Sequence, residues 1–204
     1  MNDIRLLAIS GSLRAGSSNT EVLRALALLA TPQVTVRQFE GLATLPAFNP
    51  DLDAEGIAAP APVQDLRTQV QAADAIVICS PEYAHGVPGS LKNALDWLVS
   101  VPRVVFKPVA LVNASPRAVH AQASLAETLR TMSMALVSEL PFVVSLTGRG
   151  ATAMEIAADQ ALAASLRDCL DALVVAVASY RQSLASLPVT HEERSVRNLL
   201  RNPQ

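Results

Sequence analysis

Residues 4–30, IRLLAISGSLRAGSSNTEVLRALALLA, contain the pattern that decides the fold. The stretch opens with a nearly continuous apolar run over residues 4–9, which predicts a buried strand. A turn rich in glycine and serine follows. Residues 19–30 then carry valine and leucine at helical spacing, from Val22 to Leu29, which predicts an amphipathic helix. This order of strand, turn and helix is the first half of a βαβ unit.

The rest of the chain repeats this alternation of apolar runs and amphipathic segments. Further strands are predicted at residues 33–39, 74–79, 109–112 and 140–146. Further helices are predicted at residues 63–73, 88–100, 121–136 and 152–184, the last as one long helix, and residues 41–62 are predicted to be loop. The sequence therefore predicts an α/β, flavodoxin-like, doubly wound, five-stranded parallel sheet in the order 2-1-3-4-5, with helices on both faces.

Length and composition indicate a single domain over residues 1–190 and a polar tail over residues 191–204. Half of the 204 residues are hydrophobic and 17% are charged, which excludes an intrinsically disordered chain. The net charge of −2 comes without a basic cluster, so no nucleic-acid partner is predicted.

Sequence features also indicate the cellular compartment of the protein. The longest stretch without a charged side chain, residues 25–36, is shorter than the ~20 apolar residues that a membrane span needs. Residues 1–5 lack the features of a signal peptide. Cys79 and Cys169 lie far apart and resemble buried thiols in a reducing compartment. A cytoplasmic protein without a membrane partner or a metal site is predicted.

The loop after the first strand has the composition of a phosphate site. Its candidate ligands, between Gly11 and Thr20, are Ser12, Arg14, Ser17, Ser18 and Asn19. Glycine allows backbone amides to approach a ligand, and the following helix N-terminus favours an anion. Ser17 stands where a triphosphate-binding loop needs lysine, so a monophosphate is favoured. The alternative is a helix capped by serine or asparagine after a glycine turn.

The loop after the third strand, residues 80–89, is longer than most connections in α/β proteins. Two prolines and two glycines shape it, and Tyr83 and His85 are suited to contact a planar ring. In open α/β sheets, ligands bind beyond the carboxyl ends of the strands, where this loop and the phosphate loop meet. The alternative is an ordinary capped connection.

These two loops resemble those of the NADPH-dependent FMN reductase family, which includes quinone, azo-dye and chromate reductases. The matching segments are GSLRAGSSN at residues 11–19 and PEYAHGVPGSLKNALDW at residues 81–97. The resemblance implies noncovalently bound FMN. Its phosphate would be bound by Ser12, Arg14, Ser17, Ser18 and Asn19. Its ribityl chain and ring would be lined by Pro81, Glu82, Tyr83, Ala84, His85, Gly86 and, from the third loop, Ser115.

The chain departs from the family pattern at two places. Ala84 stands where the family usually carries asparagine. The third loop, residues 113–120, lacks the glycine pair common there, although Arg117 and His120 offer other donors. These departures concern the redox partner more than the fold.

The resemblance implies ping-pong hydride transfer from NADPH or NADH, through FMN, to a small acceptor such as a quinone, azo compound, free flavin or metal oxyanion. No acid or base is demanded, because the cofactor carries the chemistry. His85 is a weak candidate for a proton donor or gate, and a simple loop-lining role is favoured. A homodimer or homotetramer is also implied.

Three other functions remain open. A flavodoxin-like electron carrier would be more acidic and would offer more aromatic side chains to the flavin. A flavin-binding or flavin-free regulatory module would fit the altered third loop. A hydrolase using Cys79 or a serine is disfavoured, because no GxSxG motif is present.

Overall fold

Six parallel strands form one sheet at the centre of the protein. The structure is a computed structural model that describes residues 3–146 and 150–186. The strands are β1 (Ile4–Ser10), β2 (Val34–Phe39), β3 (Ala75–Cys79), β4 (Pro108–Asn113), β5 (Ala135–Leu136) and β6 (Phe142–Val143). Their order is β2-β1-β3-β4-β5, and β6 also pairs with β4. The predicted fold class and strand order are confirmed.

Helices cover both faces of the sheet. They are α1 (Ser18–Leu29), α2 (Ala61–Ala72), α3 (Gly89–Asp96), α4 (Val119–Thr131), α5 (Ala153–Ala158) and α6 (Gln160–Ser186). Apolar side chains of α2, α3 and α4 pack on one face, and those of α1, α5 and α6 pack on the other. Because β3 is buried at all five residues, its two faces contact both helix layers. Such burial explains why its sequence is a continuous apolar run.

The fifth position in the sheet differs from the prediction of one strand at residues 140–146. It is divided between β5, which pairs with the start of β4, and β6, which pairs with its end. Pro141 stands between the two short strands and cannot donate a ladder hydrogen bond. The predicted helix at residues 121–136 is wrong at its end, since α4 ends at Thr131 and Ser133 takes a left-handed backbone (φ 58°).

The long C-terminal helix is also corrected, because it is two helices. The helical conformation is interrupted at Asp159. The Asp159 carboxylate accepts hydrogen bonds from the amides of Ala161 and Leu162 and so caps α6. Leucine and valine side chains of α6 pack inward, and Leu166, Leu173 and Val177 are fully buried. The predicted tail at residues 191–204 lies outside the described residues.

The segment after β2 is fixed to α3. The amide of Asn93 accepts from Phe48 N at 2.7 Å and donates to Pro46 O at 2.9 Å. Trp97, which is completely buried, donates its indole N–H to the same Pro46 oxygen at 2.9 Å. These residues of the second motif therefore pack and position a loop.

The amino edge of the sheet carries a compact group of charges. Asp74 accepts from Arg5 N at 2.8 Å and pairs with Arg181 at 3.0 Å. Lys107 is only 2% exposed, and its ammonium donates to Ala73 O. Burial lowers the pKa of Lys107 to about 8, although the negative charge of Asp74 opposes the shift. This edge lies at the opposite end of the strands from the candidate site.

Candidate functional site

The carboxyl ends of β1 and β3 approach each other closely at Gly11. The amide of Gly11 donates to Cys79 O at 2.8 Å. A Cβ at this position would lie 2.5 Å from Ser80 Oγ and 3.0 Å from a Leu91 methyl carbon, so any side chain would collide. The loops that follow the two strands are therefore forced together at one edge of the sheet.

The first loop ends at Ser17, which is the N-cap residue of α1. Ser17 is 3% exposed, yet its hydroxyl makes no cap bond to the helix, and Ser17 Oγ has no hydrogen-bond partner within residues 3–146 and 150–186. The first amides of a helix have no intrahelical acceptor. A buried donor therefore lies beside unpaired helix amides. Earlier in the loop, Ser12 Oγ accepts from Arg14 N at 3.3 Å, and Arg14 is exposed.

The first turn of α1 is tied to the strand ends beneath it. Asn19 Oδ1 accepts from the Cys79 thiol at 3.3 Å, and Thr20 Oγ1 donates to Ser10 Oγ at 3.0 Å. Burial raises the pKa of the Cys79 thiol well above its usual range. Since the thiolate is the nucleophilic form, Cys79 is a structural residue, which argues against the hydrolase alternative.

The second loop contains a tight hairpin at residues 83–86. Tyr83 N donates to Gly86 O at 3.1 Å, and Gly86 N donates to Tyr83 O at 2.9 Å. The two central residues, Ala84 and His85, both have left-handed backbones, with φ of 49° and 59°. This is the pattern of a type I′ turn, which normally contains asparagine or glycine. Tyr83 at the base of the turn is 57% exposed.

The second loop is joined to the third loop at two points. Glu82 Oε2 accepts from Ala121 N, in the first turn of α4, at 2.8 Å. The imidazoles of His85 and His120 stack with their centres 4.3 Å apart and their planes at 20°. Within the third loop, Asn113 Oδ1 accepts from Ser115 N at 3.0 Å.

A cleft of about 320 Å³ lies among these loops. It is lined by Ser18, Asn19, Ser80, Pro81, Glu82, Ala114, Ser115, Arg117, Ala118 and Leu146. Five of the residues predicted from sequence are brought together here: Ser18, Asn19, Pro81, Glu82 and Ser115. Ser12, Arg14 and Ser17 lie in the adjoining loop before α1. Tyr83, Ala84, His85 and Gly86 form the hairpin and do not line the cleft.

Several lining residues were not among the predicted site residues. Ser80 and Ala114 each follow a strand directly, so their position after β3 and β4 was the available signal. Arg117 was noticed only as a possible donor. Leu146 reaches the cleft because its amide donates to Ala114 O at 3.2 Å, and nothing in the local sequence signals that pairing.

The residues present fit a phosphate monoester at the α1 end of the cleft. The unpartnered Ser17 hydroxyl, the first-turn amides of α1 and the exposed guanidinium of Arg14 are all donors. Glu21, the acidic residue in the first turn of α1, is already engaged by Arg24 at 2.6 Å and by Ala153 N at 2.8 Å. A phosphate therefore has donors available that no group in the described part of the chain occupies.

Fold and site together define a flavodoxin-like α/β protein with a cleft at the carboxyl edge of its sheet. The model of the NADPH-dependent FMN reductase family matches residues 4–148. The chain belongs to that family, so the resemblance drawn from the two loop motifs is confirmed.

Individual relatives agree with this assignment. The chain is similar to an NAD(P)H-dependent FMN reductase of Pseudomonas aeruginosa, with 39% identity over 56% of this chain and 61% of the relative. It is similar to a quinone reductase of Escherichia coli, with 38% identity over 55% of this chain and 60% of the relative. The chain thus spans about three fifths of the length of these curated relatives.

A solved structure extends the likeness over most of the chain. It is the flavoenzyme NAD(P)H:(acceptor) oxidoreductase FerB from Paracoccus denitrificans. The TM-score is 0.71 at 26% identity, and the match covers 86% of this chain and 98% of that one. The fold therefore agrees with that of a flavoenzyme over nearly its whole length.

Proposed function

We propose that this protein is an NAD(P)H-dependent FMN oxidoreductase that passes a hydride from NADPH, or NADH, to a small acceptor. The acceptor would be a quinone, an azo compound, free flavin or a metal oxyanion. The observation that carries the proposal is the buried, unpartnered Ser17 hydroxyl beside the helix amides of the cleft. Family membership and the names of the relatives support it.

Binding of FMN would begin at its phosphate. The hydroxyls of Ser12, Ser17 and Ser18 and the first-turn amides of α1 would donate to the phosphate oxygens, and Arg14 would add a positive charge. Charge-assisted hydrogen bonds of this kind are about twice as strong as neutral ones. The α1 dipole favours the same anion. Bound FMN would supply the redox chemistry, since it accepts and donates a hydride.

The other loops would orient the ring and leave room for a reactant. Pro81, Glu82 and Ser115 line the cleft and would lie along the flavin. The hairpin at residues 83–86 directly follows Pro81 and Glu82, and its Tyr83 is exposed to solvent, where it could contact a reactant. His85 is a candidate proton donor because its imidazole is exposed at the tip of the hairpin.

We further propose that the protein acts in the cytoplasm as a homodimer or homotetramer. In residues 3–146 and 150–186, no helix is both long and apolar enough to cross a membrane. The assembly is proposed from the family resemblance. Light scattering after gel filtration measures it, and a monomer at all concentrations would contradict it.

The test is the visible spectrum of the purified protein after incubation with excess FMN and desalting, followed by anaerobic NADPH. Retained yellow colour that NADPH bleaches is the expected result. Bound flavin that NADPH and NADH both fail to bleach would overturn the reductase proposal and favour an electron carrier. Protein that retains no flavin and shows no FMN affinity in titration would overturn both.

A matched pair of variants tests the phosphate assignment. Ser17→Ala should weaken FMN binding about tenfold, because it removes one hydrogen bond to a charged group. It should not unfold the protein, since Ser17 Oγ makes no bond that would be lost. Ser179→Ala, on an exposed turn of α6, is the control and should bind FMN as the wild type does. Equal FMN affinity in both variants would remove Ser17 from the site.

A further inference from the structure

The imidazoles of His85 and His120 form a contact between two loops that the function proposed above does not use. Their ring centres are 4.3 Å apart and their planes nearly parallel, at 20°. His85 is at the tip of the hairpin after β3, and His120 is in the first turn of α4. Both are exposed, so the contact lies at the surface beside the cleft.

The backbone conformation of the hairpin is itself unfavourable. Ala84 and His85 both adopt left-handed conformations. A residue with a side chain is disfavoured in this conformation. A stacked pair of rings is favourable beyond its buried area and offsets part of that cost. The stack therefore stabilises a turn that its own sequence disfavours.

The hairpin and α4 are also joined at the base. Glu82, directly before the hairpin, accepts from Ala121 N, directly after His120. The two elements thus meet at a charged hydrogen bond near the cleft and at a ring stack farther out. Removing the stack would leave the base attached while the tip of the hairpin becomes free to move.

The position of the hairpin tip bears on access to the cleft. Glu82 lines the cleft from the hairpin side, and Arg117 and Ala118 line it from the α4 side. The stack joins the segments that directly follow these two walls. Since residues 83–86 do not line the cleft themselves, displacement of the tip would change the approach to the cleft rather than its walls.

We propose that His120 is a positioning residue that holds the hairpin at residues 83–86 by stacking on His85, and thereby sets how readily an acceptor enters the site. The kinetic part of this inference rests on the proposed reductase function. The positioning part does not, because the stack belongs to the protein without any ligand. His120 thus takes a role on the loop where the glycine pair of the family is absent.

The positioning role is tested by proton NMR of the protein without flavin. The chain contains three histidines, so their ring signals can be assigned by substitution. Parallel rings at this distance shift each other's proton resonances. His120→Ala should move the His85 signals to positions typical of an unstacked imidazole, whereas His120→Phe should retain a ring-current shift. Val119→Ala, an exposed neighbour outside the stack, should leave them unchanged.

The kinetic role is tested in the flavin-loaded enzyme. His120→Ala should raise the acceptor KM about fivefold, the size expected for loss of one stacked pair, and change kcat less than twofold. His120→Phe should restore the wild-type KM, because a phenyl ring can stack on His85 as the imidazole does.

Each negative result of these two tests leads to a different conclusion. If His85 keeps its resonances in His120→Ala, the stack does not form in solution and the inference is wrong. If the resonances move but the KM of His120→Ala equals that of the wild type, the stack does not govern acceptor entry. If wild-type protein oxidises neither NADPH nor NADH, the proposed function fails, and the NMR result alone decides whether His120 positions the hairpin.

Discussion

Glu82 and Ala121 are joined by a hydrogen bond of 2.8 Å, in which the backbone amide of Ala121 donates to the Glu82 carboxylate. The bond spans 39 residues of sequence and fixes the loop after β3 to the first turn of α4. It also gives α4 the N-terminal cap that its own Ala118 cannot supply. The carboxylate therefore has a structural partner as well as a place in the cleft.

Removal of this carboxylate is expected to destabilise the fold. Glu82→Ala should lower the free energy of unfolding by about 1–2 kcal/mol, because a helix amide loses its charged acceptor. Glu82→Gln should lose less stability, since the side-chain amide oxygen of glutamine can still accept the hydrogen bond from Ala121 N. Urea denaturation measures both. Glu127→Ala, an exposed change on the same helix, is the control, and equal stability of Glu82→Ala and this control would contradict the capping role.

The strained turn predicts a stabilising substitution at Ala84. Ala84→Asn should raise the free energy of unfolding by about 0.5–1 kcal/mol, because asparagine tolerates the left-handed backbone better than alanine does. The same exchange at Ala123, an exposed position inside α4, should be destabilising, since asparagine is a poorer helix former. Thermal denaturation of the two variants checks the opposite signs. Destabilisation by both would mean that the turn is not strained at Ala84.

Lys107 predicts how stability changes with pH at the amino edge of the sheet. The pKa of Lys107 falls from 10.5 to about 8 on folding. Between pH 8 and pH 10.5 the unfolded chain therefore binds more protons than the folded one. Stability therefore rises with pH in this window, by at most about 1.4 kcal/mol per pH unit. Below pH 8 both states are protonated and the contribution becomes constant.

The measurement is the free energy of unfolding from pH 7 to pH 9.5 in the wild type and in Lys107→Met. The free energy of unfolding of the wild type, relative to that of Lys107→Met, should rise with pH above pH 8 and stay constant below it. The range stops at 9.5 because burial also raises the pKa of Tyr180, which has the opposite effect at higher pH. Parallel curves for both proteins would show that Lys107 keeps an ordinary affinity for its proton.

The two cysteines are expected to resist alkylation in the folded protein. Burial raises the pKa of Cys79, and that of Cys169 to about 12, so almost no thiolate is present at neutral pH. Iodoacetamide followed by mass spectrometry should find no modified cysteine in native protein and two after denaturation. Rapid labelling of native Cys79 would reopen the hydrolase alternative.

Much of the fold could be predicted because its signals are local. The apolar run of β3 is continuous since every residue of the strand is buried, and the sheet order follows from the alternation of strands and helices. The division of the fifth strand around Pro141 was missed, because the apolar residues continue on both sides of it. The break at Asp159 was missed, because leucine and alanine recur at helical spacing across it.

The site could be predicted only where a motif marked it. The loop before α1 has an unusual composition, so Ser17 and its neighbours could be named as candidate site residues. The Glu82–Ala121 bond and the His85–His120 stack depend on how two distant loops meet, which no local pattern encodes. The strain at Ala84 was equally hidden, because alanine carries no turn signal.

The two ends of the strands differ in how their polar groups are used. At the amino edge, Asp74 is paired with Arg5 and Arg181, whereas at the carboxyl edge Ser17 Oγ is left without a partner. Seven residues of β1 separate the edges by about 20 Å. Substitutions so far apart have nearly additive effects. Changes in stability made at Asp74 and at Ser17 are therefore expected to add, so the two edges of the sheet can be altered independently in one variant.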